Sequence, residues 1–192
     1  MNLIPLIALG IALSACCGFR IFIPMLAAAI GGYNHWFELP SDMQWLGSLP
    51  AIICFGTAAV VEVVAYYFPF LDNILDTVAT PVAVIAGTLL ASAIIPLPEG
   101  QPVIRWGLAI LAGGSTAGIL QGSLGLLRLF STKATLGTGN PVVASGENVA
   151  AVTFSVLSFI IPVIAALLVL AIVGWFVWQG IRRLTSGKSN YP

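Results

Sequence analysis

The sequence predicts an all-α integral membrane protein of about five transmembrane helices, and three observations carry that expectation. Of its 192 residues, 59% are hydrophobic and 7% are charged, where a soluble protein carries about a quarter charged residues. Apolar runs recur at the length needed to cross about 30 Å of hydrocarbon, which takes roughly 20 residues. Small residues repeat every fourth position in two of these runs, the spacing that lets membrane helices approach closely. Seven basic residues balance seven acidic ones, so no basic field invites nucleic acid and the expected surroundings are the lipid bilayer. Residues 1–184 read as a single polytopic membrane domain and 185–192 as a polar C-terminal tail. Cys16, Cys17 and Cys54 all stand in apolar runs and read as small buried hydrophobes, with neither a disulfide framework nor a zinc spacing.

The first run, about Leu3 to Gly32, is longer than one crossing needs, and a kink at Pro24 or a strong tilt would absorb the excess. Leu13-Ser14-Ala15-Cys16 has the form of a lipoprotein cleavage site. No Lys or Arg precedes it and the apolar run continues beyond it, so the stretch is read as the first span. Gly10, Ser14 and Gly18 form its small-residue stripe, and Arg20 follows at a depth where facing lipid would be expensive. The link from Tyr33 to Gln44 carries His35 and Trp36 and reads as interfacial. His35 has no fitting neighbour, and no metal role is expected of it.

The second run, about Trp45 to Phe68, contains Glu62, with Tyr66 one turn on along the same face, and Pro69 ends it. Asp72 and Asp76 then share one face of a short amphipathic segment. They are either hard oxygen ligands for a cation or its solvated side. Thr80-Pro81 has the pattern of an N-cap followed by proline at the first helical position. The third run, Pro81 to Ile95, covers only about 22 Å and is either a minimal span or a re-entrant half-helix. A turn at Pro96-Leu97-Pro98 leads to the fourth run, about Val103 to Phe130, striped by Gly114, Gly118 and Gly122. The fifth runs from about Val149 to Gly180 with Pro162 inside it.

Arg182, Arg183 and Lys188 place the C-terminus in the cytoplasm by the positive-inside rule. With Arg105 on that side and Arg128 and Lys133 on the other, the tally is modest, and Arg128 and Lys133 read as headgroup anchors. The expected location is the cytoplasmic (inner) membrane. If all five runs cross, the first and fourth are antiparallel and their matching stripes form an inverted repeat of the kind that builds many small transporters. If the third re-enters, they are parallel.

Several residues carry the candidate chemistry. Asn140-Pro141 echoes Thr80-Pro81, so two proline-started helices either aim their N-termini at one shared site or are merely capped there. Glu62 must pair, face the bundle interior or be protonated, and Arg20 is its expected partner. The pair is either a structural lock or part of a pathway. There is no GxSxG, HExxH or phosphate loop, no cofactor is indicated, and an enzyme is not expected.

The set Leu13-Ser14-Ala15, Gly18-Phe19-Arg20, Pro24, Glu62, Leu75-Asp76-Thr77, Thr80-Pro81 and Gly137-Thr138-Gly139-Asn140-Pro141-Val142-Val143 with Glu147 resembles the small membrane proteins of domain of unknown function 4126, over nearly the whole chain. Gly-Asn-Pro-Val-Val with an acid six residues after the proline is its most specific part. Ser145-Gly146 departs from the bulkier pair expected before Glu147. The resemblance implies a multi-span α-helical membrane protein and supplies neither a substrate nor a site residue.

The leading expectation is a channel or transporter for an ion or small polar solute, its pathway lined by Arg20, Glu62, Asp72, Asp76, Thr80, Asn140 and Glu147. The alternative is a non-transport membrane protein that binds lipid or a partner subunit through its glycine-striped faces. A homodimer is the expected assembly, since so small a chain needs a second copy to enclose a pathway.

Overall fold

In a computed structural model that describes residues 2–96, 101–135 and 139–186, with the backbone alone for 69–74, 76, 134 and 183–186, the chain is all helical among the described residues. The helices are α1 (Leu3–Cys16), α2 (Phe22–Tyr33), α3 (Leu49–Ala65), α4 (Pro69–Ile94), α5 (Pro102–Ala109), α6 (Ser115–Thr135), α7 (Asn140–Ile160) and α8 (Pro162–Ser186). A 3-10 segment, Ser41–Gly47, precedes α3 at a bend of 58°. A π-helical turn, Ile110–Gly114, joins α5 to α6. Four stretches are long and apolar enough to cross a membrane, Thr77–Ile94, Pro102–Lys133, Asn140–Ile160 and Pro162–Arg182, and the bent pair ending at Ala65 makes a fifth.

That count matches the expected five, but the runs are divided differently. The first run does not cross as one tilted helix. At 14 and 12 residues, α1 and α2 are each only about 20 Å long. Their neighbours show which way they run. Along α1, Gly10 abuts Ile95 at the end of α4, the Ser14 carbonyl lies beside Gly87, and Gly18 meets Ala117 and Leu120. Along α2, Ile21 and Phe22 at its start line one cavity with Leu75, Ala79 and Val82, and Met25 joins them in a second that reaches Leu89, while Gly31 meets Phe37 and Phe159 near the end of α7, where Ala8 and Ala12 of α1 cluster with Leu157. So α1 is antiparallel to α4, α2 is parallel to it, and the two form a helical hairpin whose ends lie on one side and whose tip, Cys17–Ile21, lies inside the bundle. The break falls at Gly18-Phe19-Arg20 rather than at Pro24, because an arginine at that depth must find partners.

The third run is not a half-helix. Pro81 lies inside the 26-residue α4, so Thr80 caps no helix and only Pro141 opens one. Proline in a helix interior costs about 3 kcal/mol through its missing N–H. Close packing of the small buried residues Ala79, Ala83 and Ala86 keeps the helix intact across it. The fifth run is two crossings, since the chain turns at Ile161 and Pro162 opens α8. A single helix of that length would reach about 48 Å, well beyond the hydrocarbon. The Ser145-Gly146 pair does not loosen α7, which is continuous from Asn140.

At the centre, α1, α4 and the π-turn meet almost backbone to backbone. A Cβ on Gly87 would lie 2.7 Å from the Gly113 carbonyl and 3.1 Å from that of Ser14, a spacing only glycine permits. Of the expected packing residues, Gly10, Ser14, Gly18, Gly114 and Gly118 are in such contacts, Gly114 and Gly118 against Val84, whereas Gly122 has nothing within 4 Å of its Cβ direction. Because α1 and α5–α6 both run antiparallel to α4, the two stripes point the same way and do not form an inverted pair. Cys16 and Cys17 are buried as expected, but Cys54 is exposed on α3.

Candidate functional site

The hairpin tip carries Arg20 into a cluster assembled by three other helices, α3, α6 and α7. Its side chain is 1% exposed. It forms a 3.0 Å ion pair with Glu147 of α7 and donates to the Asn148 Oδ1 at 2.5 Å and the Ala144 carbonyl at 3.2 Å. Arg128 of α6, also buried, donates through Nε to the Glu147 Oε1 at 3.1 Å and through Nη2 to Oε2. One carboxylate therefore serves two guanidiniums, one of them in the bidentate geometry that suits arginine. The ring of Tyr66, just beyond α3, lies against both, with its centroid 3.8 Å from the Arg20 guanidinium and 4.3 Å from that of Arg128. This is cation–π contact from both arginines.

Glu62 is not the ion-pair partner expected for Arg20. Its two oxygens accept the backbone N–H groups of Ile21 at 2.8 Å and Phe22 at 3.0 Å. These are donors at the start of α2, which the helix itself cannot satisfy. A carboxylate there also meets the positive end of the helix dipole. Glu62 thus holds the tip's backbone while Glu147 holds its side chain, and the four formal charges sum to zero. A more exposed layer lies beside them, where Tyr67 hydroxyl and Ser145 hydroxyl are 3.0 Å apart and Asn148 Nδ2 donates to Tyr67 at 3.4 Å.

Arg20, Glu62 and Glu147 are therefore brought together, and Thr80 and Asn140 are not. Thr80 lies mid-helix in α4, and Asn140 of α7 bonds Thr132 of α6, with distances of 3.0 and 3.2 Å. Asp72 and Asp76 belong to the first turns of α4, and their side chains lie outside the described residues, as do Gly137 and Thr138 altogether. Sequence reasoning missed Arg128, taken for a headgroup anchor, and Asn148. The signal was available: Arg128 stands twelve positions before Asn140 and Glu147 seven after it, so a helical hairpin reversing just before Asn140-Pro141 brings the two within reach of each other.

Beside Glu62 lies an apolar cavity of about 290 Å³ bordered by Ile21, Phe22, Ala58, Tyr66, Ala79 and Val82. It adjoins one of about 550 Å³ that reaches Trp45, Cys54, Phe55 and Leu89. At the opposite side of the bundle Arg105 donates to Asp42 and to the Ser92 hydroxyl, each at 3.0 Å. Among the described residues no three metal-ligating side chains gather.

No curated protein and no solved structure matches the chain. With its buried arginines, its acid six residues after the Asn-Pro pair and its striped apolar helices in place, the chain is matched by a family model over residues 7–182 and belongs to the family described as Domain of unknown function (DUF4126).

Proposed function

We propose that this chain is a small α-helical transporter or channel for an ion or small polar solute, with its pathway at the tip of the α1–α2 hairpin. The observation that carries this reading is the convergence of Arg20, Arg128, Glu62 and Glu147 on non-helical backbone inside the bundle. Irregular backbone at membrane depth is tolerated where it is buried in protein or lines a cavity. Intramembrane charges of this kind mark solute and ion pathways, and discontinuous helices supply the site in many transporters. Lys133, Arg182 and Arg183 end helices on one side of the bundle, since α7 and α8 are separate crossings. The positive-inside rule then puts that side, with the C-terminus, in the cytoplasm, and Arg105 alone opposes it.

The test is flux through the purified protein in liposomes, screened over inorganic and organic ions. Glu62→Gln should abolish the flux found, while Asp42→Asn, at the far side, should leave it. A folded Glu62→Gln protein with undiminished flux would remove the pathway from this site.

A second reading, a membrane protein that binds a partner subunit or lipid, is favoured by Gly122, whose surroundings are open. Gly122→Leu should then strip a co-purifying partner or lipid without unfolding the chain.

A further inference from the structure

We infer that the trough between α2, α3 and α4 binds a lipophilic organic cation, with its hydrophobic body against Phe22, Phe55 and Val82 and its charged centre at the Glu62 carboxylate. The inference rests on the transport reading and narrows the solute class it admits. It starts from a gap in the packing. Helix α3 packs on α2 and on the 3-10 segment rather than along α4, which leaves the space between α3 and α4 open sideways with α2 as its floor. The two cavities there share Ile21, Phe22 and Val82, so they form one trough. Its volumes, about 550 and 290 Å³, suit a small organic molecule.

The wall chemistry selects the occupant. Phe22, Trp45 and Phe55 give it aromatic faces, and among the described residues Glu62 is the one charged side chain lining either cavity. A cation gains from the carboxylate in a medium of low dielectric and from the aromatic faces. An anion would be repelled at Glu62. A neutral polar solute would find few partners among the described wall residues, which are otherwise mostly hydrocarbon, the Ser48 hydroxyl being engaged with Trp45 and Ala51. A plain hydrocarbon chain would fill the volume and leave the carboxylate unanswered. Each Glu62 oxygen accepts one backbone N–H and retains acceptor capacity. The nearby guanidiniums of Arg20 and Arg128 are engaged by Glu147, Asn148, the Ala144 carbonyl and the Tyr66 ring.

Cys54 borders the trough and is exposed, whereas Cys16 and Cys17 are buried, so the native thiol reports occupancy. Tetraphenylphosphonium should bind the purified protein in nanodiscs and slow maleimide labelling of Cys54 at least fivefold, and uncharged triphenylphosphine oxide should do neither. Glu62→Gln should weaken binding at least tenfold, and Ala58→Phe, which narrows the smaller cavity and leaves Glu62 in place, should do the same. Equal protection by the neutral compound would overturn the inference, and that comparison needs no variant should Glu62→Gln fail to fold. Undiminished binding by a folded Glu62→Gln protein would overturn it equally. Binding without flux of any solute would retain this site and remove the transport reading. Glu62-dependent flux of an inorganic ion without phosphonium binding would do the reverse.

Discussion

Two buried arginine centres lie at opposite sides of the bundle, and they are built differently. Arg105 and Arg128 occupy one nearly continuous helical run, roughly 35 Å apart at 1.5 Å per residue. Arg105 is locked between α4 and the 3-10 segment, but its acidic partner Asp42 is 53% exposed, so water shares the charge. At the other side Glu147 is 3% exposed and serves Arg128 and an arginine from a hairpin tip that does not itself cross. The first centre pins a surface segment onto a helix. The second seats non-helical backbone inside the bundle, through buried charge at Arg20 and Glu62 together with the packing of Gly18 on Leu120.

If that contrast is correct, Glu147→Ala should have the largest effect. It strands two buried guanidiniums, and breaking a buried pair costs about 3–5 kcal/mol, so thermal unfolding in detergent should shift strongly downward or the protein should fail to accumulate. Glu62→Gln comes next. It exchanges charge-assisted bonds to two N–H groups for neutral ones, and bonds to charged groups are worth about 1.5–3 kcal/mol. The melting temperature should fall less, with hydrogen exchange rising at Ile21 and Phe22. Asp42→Asn should cost no more than about 1 kcal/mol, as for partly exposed pairs. Smallest of all, 1 M salt should erode the Asp42–Arg105 contribution, because the Debye length falls to about 3 Å, and should leave that of Glu147 nearly untouched. A Glu147→Ala protein as stable as Asp42→Asn would erase the distinction between the two centres.

How much of this was legible in the sequence varied with the kind of signal. Composition and run length disclosed a helical membrane protein, since apolar length is a direct consequence of bilayer thickness. They did not place the turns. Pro81 carried every local mark of a helix start and lies in a helix interior, because tertiary packing overrides a local cap. Pro162 stood inside what read as a single span and marks the turn between two crossings. The importance of Arg20, Glu62 and Glu147 could be read from the cost of charge in hydrocarbon. Their pairing could not, because it depends on where α7 begins and on the first run folding back. The glycine stripes were readable as contact surfaces, yet the closest approach uses Gly87 and Gly113, which continue neither four-residue pattern, and leaves Gly122 open.

The α1–α2 hairpin also constrains how the chain is made. Its two arms precede α3 to α8 in the chain and each is too short to cross, while Asn148, a partner of Arg20, follows 128 positions later. Glu147 immediately precedes Asn148. Until α7 is synthesised Arg20 lacks Glu147, its ion-pair partner, so the full seating of the hairpin is a late event of biogenesis although its residues come before those of α7. A chain halted before Asn140 should therefore leave the tip open to thiol reagents at Cys17, and completing the chain should close it.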